Sequence, residues 1–350
     1  MSEAPAPSAG VVVIAHPGAG RGAFGRVWPA IATALDARGV GYDVRLTTRA
    51  MEAAEFAHEA AEAGCPLVLA VGGDGTLHEV VNGLLHDDGT AAVLANHRLP
   101  ALGLVPAGRG SDYARGLHVP SDPEVLAERF AAVVAGDPSA ARPVDIGQAT
   151  YRSTSLVAGR PTPEPPIVEP PPDVGGGDDG DRQARYFING AGVGFSPFVA
   201  QRTARFPPRL GAYLYTAASL LTIVDWRDRS LRLRWGDGEE ETRAVESIEL
   251  ALGGYEGGGM HVAPDADPTD GLFDAVLIDA TSRWELVTFA WRIRSGDHIR
   301  SPQVAVRRTE ALSIEVADGR GPIYLQADGE LLGRDPFTFR VLPSALRFVW

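Results

Sequence analysis

Where Leu67, Val68, Leu69, Ala70 and Val71 give way to Gly72, Gly73, Asp74 and Gly75, a continuous apolar run ends in a glycine turn carrying one carboxylate. Such a run is the pattern of a parallel strand buried on both faces, and the glycines let the backbone turn sharply and come close to a ligand. Leu77, Val80, Val81, Leu84 and Leu85 follow at helical spacing, which sets a helix N-terminus at the turn. Backbone N–H groups there welcome an anion, and Asp74 offers an oxygen donor suited to a hard cation such as Mg²⁺. The chemistry so encoded is phosphate binding. Lysine takes no part in it, because all 32 positive side chains of the 350 residues are arginine. Walker-A nucleotide binding and lysine Schiff-base chemistry are thereby excluded.

The elements that must position this turn alternate strand and helix: strands at 11–15, 42–46, 67–71 and 101–105, helices around 24–38 and 52–63. That alternation predicts an α/β, doubly wound, mainly parallel sheet whose loops gather at the strand C-terminal ends, beginning at His16, Gly72 and Pro106. From about Val144 the pattern changes to short β-like runs at 184–189, 231–235, 248–252, 273–278, 312–316 and 323–326, which predict a second, antiparallel β-rich domain. Residues 160–181 are Pro-rich, Gly-rich and acidic, and are expected to be a disordered insertion in that domain.

Composition narrows the function further. A net charge of −13 argues against a nucleic-acid partner. The single cysteine, Cys65, leaves no intramolecular disulfide. The first ten residues lack a signal-peptide pattern, and no run approaches the roughly 18 apolar residues of a membrane span, so a cytoplasmic protein is expected.

The string GGDGTLHEVVNGL from Gly72 resembles the nucleotide-binding motif of the diacylglycerol kinase catalytic domain family, which includes bacterial lipid kinases and sphingosine kinases. The resemblance continues along the chain. HPGAGRG from His16 is similar to the family's N-P-x-S-G loop, with His16 in place of Asn. PAGRGSDYARGL from Pro106 is similar to P-x-G-T-x-N-D-x-A-R-x-L, with Arg109 and Ser111 in place of Thr and Asn. Asp145 and Gly147 match a D-x-G. YFINGAGVGF from Tyr186 resembles another family segment, with Ser196 replacing a frequent Asp. GGGMHVAPDADPTDGLFD from Gly257 resembles a turn that holds a structural divalent cation, and QADGELL from Gln326 carries a D-G-E signature.

The resemblance implies an ATP-dependent lipid kinase using Mg²⁺, with diacylglycerol as the default acceptor and phosphatidic acid as product. It implies nucleotide contacts from His16, Thr48, Gly72, Gly73, Asp74, Gly75, Thr76, Glu79, Gly108, Arg109 and Asp112. It further implies Asp145 in the metal and charge network, a structural cation at Asp267, Asp270 and Leu272, and Glu330 as general base, with Asp74 also catalytic. The domains it implies are 1–144, completed by 333–350, for nucleotide, and 145–332 for lipid, with the acceptor hydroxyl entering between them. The arginine- and aromatic-bearing segments 202–234 and 283–308 suit a lipid partner at an anionic membrane surface, or equally a solvated β-domain face. A homodimer is compatible with the sequence. Two other readings fit the same residues: an NAD kinase-like enzyme for a soluble substrate, and a catalytically weak lipid-binding relative, the latter motivated by His16, Arg109 and Ser111.

Overall fold

The computed structural model describes residues 10–18, 20, 22–85, 99–108, 111–153, 182–203 and 213–350. Arg109 and the expected insertion at 160–181 lie outside the described residues. The described residues form two compact units, one running up to Val144 and taking in Ser344–Trp350, the other running from Asp145 to Pro343.

In the first unit β1 (Val11–Ala15), α1 (Phe24–Asp36), β2 (Tyr42–Leu46), α2 (Glu52–Glu62), β3 (Leu67–Gly72), α3 (Asp74–Leu84), β4 (Ala101–Pro106), α4 (Asp112–Gly116) and α5 (Pro123–Val134) succeed one another. β1 pairs in parallel with β2 and β3, and β3 with β4, with Val13 opposite both Val44 and Leu69. Every residue of β1 and β3 is buried, as strands covered on both faces require. Alternation along the strands sends Val11, Val13, Leu67 and Leu69 into one cluster with Ile31 and Leu35 of α1 and Leu126 and Phe130 of α5. α5 begins where Asp122 accepts the N–H of Glu124 at 2.9 Å, with Pro123 in the first helical position, where its missing N–H is no loss. α2 and α3 pack on each other at Gly83, where a Cβ would fall 2.1 Å from the Ala54 carbonyl oxygen.

The second unit takes the greater part of β5 (Arg142–Arg152), then β6 (Arg182–Phe187), β7 (Gly190–Gly194), α6 (Phe195–Thr203), α7 (Tyr213–Asp225), β8 (Arg229–Trp235) and β9 (Glu240–Ala251). It continues through β10 (Tyr255–Glu256), β11 (Met260–His261), β12 (Phe273–Asp279), α8 (Arg283–Arg292), β13 (Val304–Thr309), β14 (Ala311–Val316), β15 (Tyr324–Ala327) and most of β16 (Glu330–Val349). Its pairings are antiparallel: β9 joins β7, β8 and β12, β15 joins β7 and β16, and β14 joins β8 and β16. β8 shows the cause in its alternation, with Leu231, Leu233 and Trp235 buried and Arg232 and Arg234 exposed between them. Those apolar side chains meet Phe187, Ile248, Leu250, Phe273, Leu312, Ile314, Phe337 and Phe339 in a single core. The end of β16 belongs to the first unit, where Phe348 and Val349 pair in parallel with β4 and Phe348 meets Tyr113 edge-on at 5.2 Å.

Candidate functional site

Three strand-to-helix loops converge in the first unit, and glycine is what lets them do so. A Cβ on Gly108 would lie 2.4 Å from the Cα of Gly73, and one on Gly20 would lie 1.9 Å from the carbonyl oxygen of Ala107. The N–H of Ala107 also gives to the carbonyl of Gly72 at 2.8 Å, tying the second loop to the third. α3 starts at Gly73, and among the described residues no side chain caps it, which makes it a helix N-terminus of the kind that receives an anion. An uncapped N-terminus lined by backbone rather than side chains fits an anion, and phosphate is the anion that the sequence calls for.

Asp74 sits at the head of α3, and its carboxylate oxygens accept the backbone N–H groups of Asp112 at 3.1 Å and Tyr113 at 3.3 Å. It therefore anchors the start of α4. Asp112 is buried, and Arg115 Nη1 lies 3.4 Å from its Oδ1. Ser111 is buried in the left-handed region at φ 47°, and among the described residues its hydroxyl has no hydrogen-bond partner.

The remaining residues expected to contact a nucleotide take more specific places. His16 Nδ1 is 3.1 Å from the Oγ1 of Thr47, a buried residue whose N–H also gives to the Ala15 carbonyl at 2.9 Å. Thr48, which the resemblance implied as a nucleotide contact, is exposed, and both its N–H and its hydroxyl give to Glu52 Oε2, at 2.5 and 3.0 Å. Thr47 is thus the threonine joined to the first loop. Glu79 accepts the N–H of Ala53 at 3.3 Å, which places it at the start of α2. Gly75 and Thr76 stand in the first turn of α3, with Thr76 packed over Gly72, where a Cβ would meet the Thr76 hydroxyl at 2.4 Å.

In the second unit Asp145 is fully buried, and its Oδ2 accepts the N–H of Gly271 at 2.7 Å. Its own N–H gives to the Pro268 carbonyl at 2.8 Å, so Asp145 fixes the turn at 265–272 from both sides. Within that turn Asp267 caps Thr269 and Asp270 caps Leu272 through their Oδ1 atoms. The other oxygen of Asp270 is paired with the guanidinium of Arg308. Asp274 is buried beside them, and burial pushes its carboxyl up, aided by Asp270, Asp265 and Asp267 and opposed by Arg308. Among the described residues no three or more His, Cys, Asp or Glu side chains are grouped to hold a metal ion, and the positive charge facing Asp270 is Arg308. Asp270 thus has one oxygen on its own turn and the other on Arg308, and Asp267 holds the turn through Oδ1.

Glu330 is exposed at the first position of β16. The turn before it is held by side chains that the D-G-E string alone does not assign. Asp328, at φ 49°, accepts the N–H groups of Ile188, Asn189 and Gly190 at 3.1, 2.9 and 3.2 Å. Gln326 accepts the Gly329 N–H at 2.9 Å and gives its amide to Glu256 at 2.5 Å. A Cβ on Gly192 would strike Ser196 Oγ, Glu249 Oε2 and Gln326 Nε2 at 2.1, 2.2 and 2.8 Å, so these three polar atoms crowd one glycine. Burial, then the charge of Glu256, pushes the Glu249 carboxyl well above its ordinary value. The only sequence signal for Glu249 is an acidic residue inside the apolar run 248–252.

The chain thus joins a parallel α/β unit, whose glycine loops meet at a helix N-terminus, to an antiparallel β unit. Residues 10–149 match the Diacylglycerol kinase catalytic domain family, and residues 190–350 match the YegS C-terminal NAD kinase beta sandwich-like domain. The chain is 30% identical over 311 residues to "Probable lipid kinase YegS-like" of Chromohalobacter salexigens, covering 87% of this chain and 82% of that one. It is 26% identical to "Diacylglycerol kinase" of Bacillus subtilis over 93% of this chain and 91% of that one. The crystal structure of a diacylglycerol kinase from Bacillus anthracis shares the fold, with a TM-score of 0.62 at 19% identity over 97% of this chain and 96% of that one. The chain belongs to the diacylglycerol kinase and YegS-like lipid kinase family.

Proposed function

We propose that the chain transfers the γ-phosphate of ATP to the hydroxyl of a lipid at a membrane surface, with diacylglycerol as the first acceptor to test and phosphatidic acid as its product. The observation that carries the nucleotide half is the uncapped N-terminus of α3, set where the Gly73 and Gly108 backbones meet. Family membership carries the lipid half. Backbone N–H groups of α3 bind phosphate oxygens, and His16 and Thr47 meet beside the same loops, while Arg109 follows Gly108 in the sequence. Asp74 and Asp112 would hold Mg²⁺, which when bound would supply positive charge to the transferring phosphoryl group. Asp74 meanwhile keeps the two loops in register through Asp112 and Tyr113. Glu330 takes the acceptor proton as its oxygen attacks, and Asp328 and Gln326 hold the turn that presents it.

The test is transfer of radiolabelled γ-phosphate from ATP to lipid in mixed micelles with Mg²⁺, comparing the native chain with Glu330→Gln. Labelled phosphatidic acid is expected from diacylglycerol, with the rate falling about 10²- to 10⁴-fold in the variant. Because Glu330 is exposed, the variant should melt with the native chain. Label appearing in NADP from NAD, and none in lipid, would overturn the acceptor. Lipid binding without label from ATP or GTP would return the chain to the binding-protein reading.

A further inference from the structure

Seven large hydrophobic side chains are exposed among the described residues, and five of them stand on two helices of the second unit. Trp284 and Trp291 are 82% and 68% exposed on α8, and Leu220, Leu221 and Val224 are exposed on α7, which packs against α8. The two tryptophans are seven residues apart, close to two full helical turns, so they share one line along the helix. Phe289 faces inward and is buried, so the outward tryptophans are not needed for the core.

The charges beside them are arginines of a particular kind. Other arginines of this acidic chain meet carboxylates: exposed Arg234 with Glu240 and Arg300 with Asp297, half-buried Arg307 with Asp237 and Arg45 with Glu59. Arg283 and Arg292 on α8, Arg294 just beyond it and Arg227 just beyond α7 are all exposed, and among the described residues none has a carboxylate partner. The guanidinium of Arg292 gives only to the neutral Ser301 Oγ at 3.1 Å. Glu285, the acidic residue within α8, is turned back on Thr281 and Ser282 in the helix cap. The face therefore pairs indole rings with positive charge that the protein leaves uncompensated.

From these residues the structure assigns a docking surface on α7 and α8 for an anionic lipid bilayer. Indole rings settle at the level of lipid headgroups, where their apolar body is buried and their N–H stays wet. Leu220, Leu221 and Val224 add apolar area, and the four arginines supply attraction to anionic headgroups. A second copy of a chain with net charge −13 would be an acidic partner overall, but a self-matched contact would set these arginines against each other.

The surface rests on the lipid-kinase reading only for its purpose, and its test uses no turnover. The full-length chain is sedimented with vesicles of phosphatidylcholine containing phosphatidylglycerol, and with vesicles of phosphatidylcholine alone, and tryptophan emission is followed on vesicles carrying brominated acyl chains. Binding to the anionic vesicles and quenching are expected. Trp284→Ala with Trp291→Ala should abolish the quenching and weaken binding at least tenfold, at an unchanged melting temperature. Arg283→Gln, Arg292→Gln and Arg294→Gln should each weaken it about fivefold. Native-like vesicle binding by the double tryptophan variant, or equal binding to neutral vesicles, would overturn the assignment. So would a dimer in light scattering that the tryptophan variant breaks while vesicle binding persists. Kinase failure alongside tryptophan-dependent vesicle binding would leave this surface standing and sink only the catalytic reading.

Discussion

At Gly73 and Gly108 a single methyl group decides whether two loops can touch. A Cβ on Gly108 would meet the Cα of Gly73 at 2.4 Å, whereas one on Gly73 would stand 3.1 Å from the Cα of Gly108. Backbone cannot yield as a side-chain tip can, so Gly108→Ala should destabilise the chain by about 1–3 kcal/mol and Gly73→Ala by less. Nucleotide titration should show the same order of loss, and equal effects from the two variants would mean that the loops do not meet as described. Glu249 gives a pH signature. Its folded carboxyl titrates well above the ordinary 4.5, because burial and then Glu256 disfavour its charge. The stability that its protonation confers is complete below the unfolded value and is lost as pH rises through the folded one. Glu249→Gln removes the charge, so thermal unfolding should find the variant level with the native chain near pH 4. At pH 8 it should be more stable by on the order of 1–3 kcal/mol. A variant less stable at pH 8 than at pH 4, relative to native, would show that the carboxylate is paired after all.

Elements with strong local signals were legible, and the reasons are physical. β1 and β2 lie at the residues that the apolar runs marked, and β3 and β4 extend theirs by one residue, because short runs between turns leave the chain little choice. The α7 helix was not, since Leu214, Leu220, Leu221 and Ile223 spread apolar character round it without a helical period. Nor was α8, whose Trp284, Val287, Thr288 and Trp291 favour strand by propensity and are overruled by the Ser282–Glu285 capping box. The site was legible as loops and carboxylates, but which threonine joins His16 depends on strand register and could not be counted off. The turn at 265–274 is a further case: spacing shows its aspartates but not Arg308, which arrives from β13. Arg308→Gln should therefore destabilise the chain by about 1 kcal/mol, the scale of a partly exposed pair. Melting with and without millimolar Ca²⁺ or Mg²⁺ checks it, because only the variant should gain stability from the ion. A native chain that loses as much on chelation as the variant would put a cation, and not Arg308, against Asp270.

At the scale of the whole molecule, charge acts in two opposite ways. Forty-five carboxylates against 32 arginines make the chain repel itself, while its ion pairs lie mostly at the surface, where each contributes little. Screening should relieve more repulsion than it removes attraction, since the Debye length falls from about 10 Å at 0.1 M salt to about 3 Å at 1 M. The melting temperature should therefore rise with NaCl over that range. The face on α7 and α8 obeys the reverse sign, because its unpaired arginines attract headgroups through the same solvent, so vesicle binding should weaken as salt rises. Measuring both on one preparation separates the two effects: a fold that stabilises while the membrane releases it carries acidic excess over the body and basic excess at one face. Vesicle binding that is indifferent to salt would leave Trp284 and Trp291 as the whole attraction, with the arginines as bystanders.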